Sequence, residues 1–161
     1  MNGNLTARQV FTNPIHFLAY GFGAGLSPKA PGTAGTLVAI PLYLLLMCTS
    51  LVDYLSLMML GLVAGVFICG YTAKRMGIED PKGVVWDEIV GFIITMVGVP
   101  LGWAWVISGF LLFRLFDIWK PWPIRWLDRS IKGGVGIMLD DVVAAVFACV
   151  LLNLAAYFLK A

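Results

Sequence analysis

Long apolar runs dominate this chain, and clusters of carboxylates lie beside or inside those runs. The acidic residues concerned are Glu79, Asp80, Asp87, Glu88, Asp117, Asp140 and Asp141. A charged side chain in or next to a membrane-length apolar segment is costly and is usually retained for function. The fold therefore has to gather these carboxylates where a cation or basic side chains can compensate them.

The composition excludes an ordinary water-soluble domain. Of the 161 residues, 60% are hydrophobic and only 12% are charged, so the chain has too little polar surface to cover itself. We predict one integral membrane domain covering residues 1–161, with no removable signal peptide. The net charge of +2 is spread over nearly matched acids and bases, which does not favour nucleic acid as a partner. Three isolated cysteines, Cys48, Cys69 and Cys149, predict buried small side chains without disulfide or zinc chemistry.

The apolar runs predict an all-α polytopic bundle with about five membrane helices. These helices are expected at 37–51, 54–72, 84–99, 101–120 and 138–159. Residues 13–26 are apolar but short and rich in glycine, which suits an interfacial or re-entrant helix. The following stretch, SPKAPGTAGT at 27–36, is predicted to be a loop.

The segment from Val84 to Trp119 decides the topology, because it could form one span or two. Two short helices, broken at Gly98, Pro100 and Gly102, bring the charged clusters before and after the segment to the same side. With this hairpin, every Lys and Arg except Lys160 falls on the side of the N-terminus. The positive-inside rule then predicts that this side is cytoplasmic.

The hairpin also brings three groups of carboxylates to one depth. Asp87 and Glu88 open the third helix, Asp117 lies near the end of the fourth, and Asp140 and Asp141 open the fifth. Adjacent helical residues point about 100° apart, so only one member of each adjacent pair needs to face a shared centre. Carboxylates without His or Cys favour a hard cation such as Mg²⁺. The alternative is that these acids only cap helices and pair with basic residues.

Basic and polar side chains near these acids could bind a phosphate group. The candidates are Lys29, Thr33, Arg114, Lys120 and Lys132. The spacing of Arg114, Asp117 and Lys120 places them along one helix face, either as a salt-bridge stripe or as a phosphate-binding group beside a metal ligand. His16, the one histidine, is expected to be a packing or interfacial residue. The tryptophans near the predicted helix ends are expected to be interface anchors.

Four motifs follow one another along the chain: SPKAPGTAGT at 27–36, DPKGVVWDEIVG at 80–91, FRLFDIWKPWPIRWLD at 113–128 and GGVGIMLDD at 133–141. Together, these ordered motifs resemble the bacterial phosphatidylglycerophosphatase A family. The resemblance implies an Mg²⁺-dependent phosphatase of the bacterial inner membrane that converts phosphatidylglycerophosphate to phosphatidylglycerol. The catalytic and metal-binding residues would then be Asp87, Glu88, Asp117, Asp140 and Asp141.

Some alternatives stay open at the level of sequence. A divalent-cation transporter or channel would also cluster acids in a membrane, and a non-catalytic membrane subunit would use them only for topology and salt bridges. Within the phosphatase hypothesis, the nucleophile could be an activated water or an aspartate. The partners expected are a phospholipid substrate and the membrane, with a homo-oligomer possible.

Overall fold

The computed structural model of the protein describes residues 5–160, and every regular element in that range is helical. The elements, in chain order, are α1 (Ala7–Thr12), α2 (Pro14–Ala19), a 3-10 helix (Gly21–Leu26), α3 (Pro31–Leu46), α4 (Leu51–Met76), α5 (Trp86–Thr95), α6 (Trp103–Trp119), α7 (Ile124–Ser130) and α8 (Gly133–Lys160). The part of the chain described contains no β-strand, so the prediction of an all-α fold is confirmed.

The predicted hairpin is present, but both of its helices are shorter than expected. α5 has 10 residues and α6 has 17. Three other helices begin earlier than predicted; α4 begins at Leu51, three residues early, and the other two differ by more than a turn. α3 starts at Pro31, where a proline at the first helical position loses no hydrogen bond, so residues 31–36 of the predicted 27–36 loop are helical. α8 starts at Gly133, which places Asp140 and Asp141 about two turns inside the helix rather than in its first turn.

Residues 13–26 do not form the single helix that the sequence predicted. Asn13 caps α2 by accepting a hydrogen bond from the backbone of Ile15, and α2 ends after six residues. The chain then turns through Gly21, Phe22 and Gly23, whose φ angles of 52°, 59° and 99° are left-handed and cannot continue an α-helix. The sequence also gave no indication of α7, a short helix that follows Pro121 and Pro123.

Helix α5 is the buried centre of the bundle and is surrounded by α3, α4, α6 and α8. Ile89, Phe92 and Ile93 are nearly inaccessible and belong to the main hydrophobic core. The hydroxyl of Tyr54 on α4 donates a 2.6 Å hydrogen bond to the Ile93 carbonyl. Since α5 is enclosed by protein, its N-terminal residues are held on a rigid support.

The outer faces of the bundle are apolar. Two helices are long and apolar enough to cross a membrane: Leu51–Met76, with a mean hydropathy of 2.1, and Gly133–Leu159, with 2.5. On α6, the exposed residues Ile107, Leu111 and Leu115 follow one another at four-residue intervals and form an apolar stripe. Such extended exposed apolar surface indicates association with a membrane.

The remaining predictions about His16 and the cysteines can be compared with the structure. His16 is buried, and its Nδ1 lies 3.0 Å from the hydroxyl of Thr72, which fits a packing residue. Burial, and to a smaller extent the charge of Arg75, lower the pKa of His16. Cys69 is buried and Cys149 half-buried, but Cys48 is exposed, so the prediction of three buried thiols is wrong for Cys48.

Candidate active site

A cavity of about 440 Å³ opens at one end of the bundle. The N-termini of α3, α5 and α8 and the C-terminus of α6 meet there, because α5 and α6 run antiparallel. The segment 79–84 and helix α7 complete its mouth. The cavity therefore receives side chains from all the clusters that the sequence predicted to lie at one depth.

Three carboxylates form the floor of this cavity. Asp87 and Glu88 on α5 and Asp141 on α8 each offer an oxygen atom, and these atoms all lie within 4.8 Å of one another. Asp87 is 9% exposed and Asp141 is 3% exposed. Both members of the 87–88 pair reach the cluster because the cavity lies beyond the end of α5 rather than beside it.

Arg114 on α6 is the cation nearest to this floor. Its Nη1 atom lies 3.6 Å from Glu88 Oε1 and forms a closer ion pair with Asp117, one turn further along the same helix. Asp117 in turn lies next to Asp141. The single guanidinium of Arg114 therefore lies among four carboxylates, those of Asp87, Glu88, Asp117 and Asp141. This leaves an excess of negative charge in a largely buried region.

A second basic group, Lys120, ends helix α6. Its backbone is left-handed, with a φ of 46°, a conformation that commonly ends a helix. Its Nζ atom donates hydrogen bonds to Asp140 at 2.6 Å and to Asp128 at 2.9 Å. Asp140 therefore faces Lys120 while its neighbour Asp141 faces the acidic floor, as the spacing of adjacent helical residues predicted.

Several buried polar atoms in the cavity have no hydrogen-bond partner among residues 5–160. The acceptors are Asp87 Oδ1, Glu88 Oε2, Asp140 Oδ1 and Asp141 Oδ2, and the donor is Arg114 Nε; Arg114 Nη1 has its ion pairs but no hydrogen bond. Unpartnered buried polar groups are rare in folded proteins, because each one costs about 1–3 kcal/mol. Carboxylate oxygens grouped in this way match the hard oxygen ligands that Mg²⁺ requires, so the residues present fit the predicted cofactor. The unpartnered Arg114 Nε fits an anionic ligand such as a phosphate.

Gly32 on α3 closes one side of the cavity and was not identified from the sequence. A Cβ atom at this position would lie 2.0 Å from Glu88 Oε1 and 3.1 Å from Arg114 Nη1. The absence of a side chain is therefore what lets α3 pack directly against the carboxylate. The available signal was its position directly after Pro31, because proline favours the first position of a helix, but its partner 56 residues away could not be read from spacing.

The structure brings together some of the predicted phosphate-binding residues but not all. Arg114, Lys120 and Lys132 line the cavity, although Lys132 is exposed at its mouth and lies 3.1 Å from Glu79. Lys29 is exposed, and Thr33 is half-buried on α3; neither belongs to the described residues that line the cavity. Sequence reasoning assigned no role to Asp128 and Arg129, which also line it.

The fold and the site together define a class: a membrane-associated helical bundle whose buried cavity combines unpartnered carboxylates with basic groups suited to a phosphate ester. Residues 17–156 match the sequence model of the family described as phosphatidylglycerophosphatase A. The chain belongs to this family. It is therefore a phosphatase, a phosphoric monoester hydrolase, rather than the transporter or non-catalytic subunit that the sequence had left open.

Curated relatives share much of the chain. Phosphatidylglycerophosphatase A of Escherichia coli (strain K12) is 50% identical over 143 residues, which cover 88% of this chain and 83% of the relative. Phosphatidylglycerophosphatase A of Haemophilus influenzae is 42% identical over 149 residues, 91% of each chain. A protein of Bacteroides thetaiotaomicron, provisionally named a phosphatidylinositol-3-phosphatase, is 46% identical over 143 residues, 84% of this chain and 89% of its own length. No solved structure matches the chain.

Proposed function

We propose that the chain hydrolyses the terminal phosphomonoester of phosphatidylglycerophosphate, giving phosphatidylglycerol and inorganic phosphate, with Mg²⁺ as cofactor. The observation that carries the proposal is that unpartnered buried atoms of opposite kinds share one cavity. They are carboxylate oxygens of Asp87, Glu88 and Asp141 and the Nε atom of Arg114. A cation and a phosphate bound together would satisfy both sets.

The acidic floor is the metal site in this proposal. Asp87, Glu88 and Asp141 would hold Mg²⁺. Asp117 and Asp140, which pair with Arg114 and Lys120, would orient those basic residues, and their role as further metal ligands stays a prediction. When bound, the ion would supply Lewis acidity at the phosphoryl oxygens and neutralise developing negative charge.

The basic residues would hold and orient the phosphate. Arg114 lines the cavity with its Nε atom unpartnered, while the ion pair between Nη1 and Asp117 fixes its guanidinium plane. Lys120, which also lines the cavity, is fixed by Asp140 and Asp128.

In the reaction, the bond between phosphorus and the glycerol oxygen breaks, and that oxygen takes up a proton. The attacking group is either a water oriented by the carboxylates or one of the aspartates themselves, in line with the leaving oxygen. An attacking aspartate would form an acyl phosphate, which water then hydrolyses to release inorganic phosphate and restore the carboxylate.

We further propose that α3, α4, α5, α6 and α8 form the five membrane helices, with the site at the cytoplasmic face. α4 and α8 have the length and hydropathy for this, and α6 carries its apolar stripe outward. α5, with 10 residues, is only about 15 Å long, so it would enter the membrane as a partial span enclosed by the other helices. The basic residues near the cavity mouth support the cytoplasmic orientation and a bacterial inner-membrane location. Homo-oligomerisation stays a prediction.

The first experiment measures phosphate release by the purified protein in detergent micelles, with and without Mg²⁺. Phosphatidylglycerophosphate is compared with phosphatidic acid, phosphatidylinositol 3-phosphate and glycerol 3-phosphate. We expect Mg²⁺-dependent release, fastest from phosphatidylglycerophosphate. Faster release from phosphatidylinositol 3-phosphate would assign the chain to the lipid named for the Bacteroides relative, and metal-independent release would reject the cofactor.

A binding measurement tests the metal site without relying on turnover. Mg²⁺ should raise the thermal unfolding temperature of the wild type, because a ligand that binds only the folded state stabilises it. Asp87→Asn should abolish that rise. Asp53→Asn, the same change at an exposed acid in the first turn of α4 at the other end of the bundle, should leave it intact. An equal rise in wild type and Asp87→Asn would place the ion elsewhere.

A further inference from the structure

A second groove adjoins the active-site cavity. It has a volume of about 490 Å³ and lies on the segment that joins α6 to α7 and on α7 itself. Its lining residues are Trp119, Lys120, Pro121, Trp122, Arg125, Trp126 and Arg129. Two of these, Lys120 and Arg129, also line the active-site cavity, so the two spaces are contiguous.

The groove is positively charged. Within residues 5–160, neither Arg125 nor Arg129 forms an ion pair with a carboxylate, and both side chains belong to exposed residues. Arg125 donates a 3.2 Å hydrogen bond to the carbonyl of Trp119, which fixes its guanidinium over the end of α6. The groove thus offers two guanidinium groups, the preferred side chains for phosphate, next to a cavity that we propose binds a phosphate.

The exposed tryptophans indicate the depth of the groove. Trp119 is 61%, Trp122 is 83% and Trp126 is 59% exposed. Exposed tryptophan rings in a membrane protein lie at the level of the lipid headgroups. A ligand in the groove would accordingly be part of a lipid headgroup and not of an acyl chain.

We infer that this groove binds the phosphodiester of the substrate lipid while its terminal phosphomonoester lies in the active-site cavity. The inference rests on the proposed function. Phosphatidylglycerophosphate carries two phosphates joined by one glycerol, and the structure offers two contiguous spaces joined at Lys120 and Arg129. The groove therefore selects monoesters that are linked through glycerol to a phosphodiester. Phosphatidic acid has no phosphodiester and would leave the groove unused.

Kinetics of the Arg125→Gln variant test this inference, because Arg125 lines the groove but not the active-site cavity. In uncharged micelles, KM for phosphatidylglycerophosphate should rise by roughly 10-fold, because a charge-assisted contact is lost, with little change in kcat. The kcat/KM for phosphatidic acid should not change. The matched control is Arg8→Gln, which removes the same charge from an exposed residue outside both spaces and should behave as wild type.

The outcomes distinguish the groove from general attraction of anionic lipids. Equal losses on both lipids would mean that Arg125 only attracts a charged surface, and no loss on either would remove it from substrate binding; both results overturn the inference. If folding of Arg125→Gln is impaired, Arg125→Lys, which keeps a cation in the groove but loses the planar fork, should show a smaller rise in KM on phosphatidylglycerophosphate alone. Wild-type protein that releases no phosphate from phosphatidylglycerophosphate would instead refute the proposed function.

Inhibition by phosphatidylglycerol provides the comparison if the wild type does not act on phosphatidic acid. This lipid keeps the phosphodiester but lacks the monoester, so it should compete with substrate in the wild type. In Arg125→Gln its inhibition constant should rise by about the same factor as KM, since both changes report the same lost contact. An unchanged inhibition constant would contradict the assignment of the groove.

Discussion

Replacing Gly32 with alanine should disable the active site while leaving the fold intact. The added Cβ would lie 2.0 Å from Glu88 Oε1, a separation too short for two non-bonded atoms. The carboxylate has to retreat to at least 3.4 Å, where ordinary van der Waals contact begins, a movement of about 1.4 Å. The contacted atom, Glu88 Oε1, is at the free end of a flexible side chain, so the steric conflict is relieved by moving the carboxylate rather than the backbone.

The magnitude follows from this movement. A displacement of about 1 Å at a catalytic group can lower the rate about 100-fold, so we expect a loss of at least that size in kcat/KM. The cost in stability should be small, because alanine is favoured over glycine in a helix by about 0.5–1 kcal/mol. Gly32→Ala should therefore unfold within a few degrees of wild type but turn over substrate poorly.

The assay compares phosphate release and thermal unfolding of Gly32→Ala with those of Gly61→Ala. At Gly61, in the middle of α4, the nearest atom to a new Cβ is Val90 Cγ2 at 3.6 Å, an ordinary contact, so this control receives the same methyl group without a conflict. The control should keep wild-type activity. Gly32→Ala with activity within about threefold of wild type would refute the placement of Glu88 against α3 or its role in turnover.

Three further predictions address the acids, the lysine and the histidine. Asp141→Asn should lower kcat by at least about 100-fold without preventing extraction of folded protein, measured by phosphate release and gel filtration; near-normal activity would remove Asp141 from the site. Lys120→Met should lower both the unfolding temperature and the activity, because Asp140 is left buried without its cation, and Lys120→Arg should recover part of the stability. Burial, and to a smaller extent Arg75, lower the pKa of His16 in the folded protein, so folding favours the neutral imidazole. The contribution of His16 to the free energy of unfolding is therefore fully present above its unfolded pKa of about 6.5, and it is lost as the pH falls through the lower folded pKa. The unfolding temperature of His16→Gln should accordingly fall less than that of wild type on acidification, and parallel curves would exclude this contribution.

The helical fold could be predicted from hydropathy, but the ends of the helices could not. Hydropathy windows follow the apolar residues, so they missed the parts of helices whose side chains are small or charged. Pro31 and Gly32 read as loop residues and Gly133 and Gly134 as a flexible linker, yet they form the first turns of α3 and α8. Tertiary contacts decide such turns: Gly134 packs so closely on α4 that a Cβ would lie 1.9 Å from the Val66 carbonyl oxygen.

The acids of the site could be predicted because their chemistry is conspicuous in apolar surroundings. The sequence could not predict which of these acids face the cavity floor and which pair with basic residues, since that depends on where the cavity lies relative to each helix. Asp87 and Glu88 both reach the cavity from beyond the end of α5, whereas α8 passes alongside it and sends only Asp141 to the floor. Asp128 was missed because it belongs to α7, a helix too short and too polar to show a periodic pattern.

The contacts of the glycines explain why two distant motifs occur together in this sequence. The sequence predicted a loop at 27–36 with Lys29 and Thr33 as candidate phosphate-binding residues, but the glycines in and before this motif admit the segment 83–88. A Cβ at Gly35 would lie 2.7 Å from Val85 Cβ, and one at the preceding Gly25 would lie 2.0 Å from the Gly83 carbonyl oxygen. Because these positions lack side chains, the chain before α5 can approach α3 closely, and that approach sets where Glu88 stands. The motif at 27–36 therefore supports the site because its glycines leave room for the segment that leads into α5. Substitutions at these glycines should lower catalytic activity by displacing α5 and, with it, Glu88.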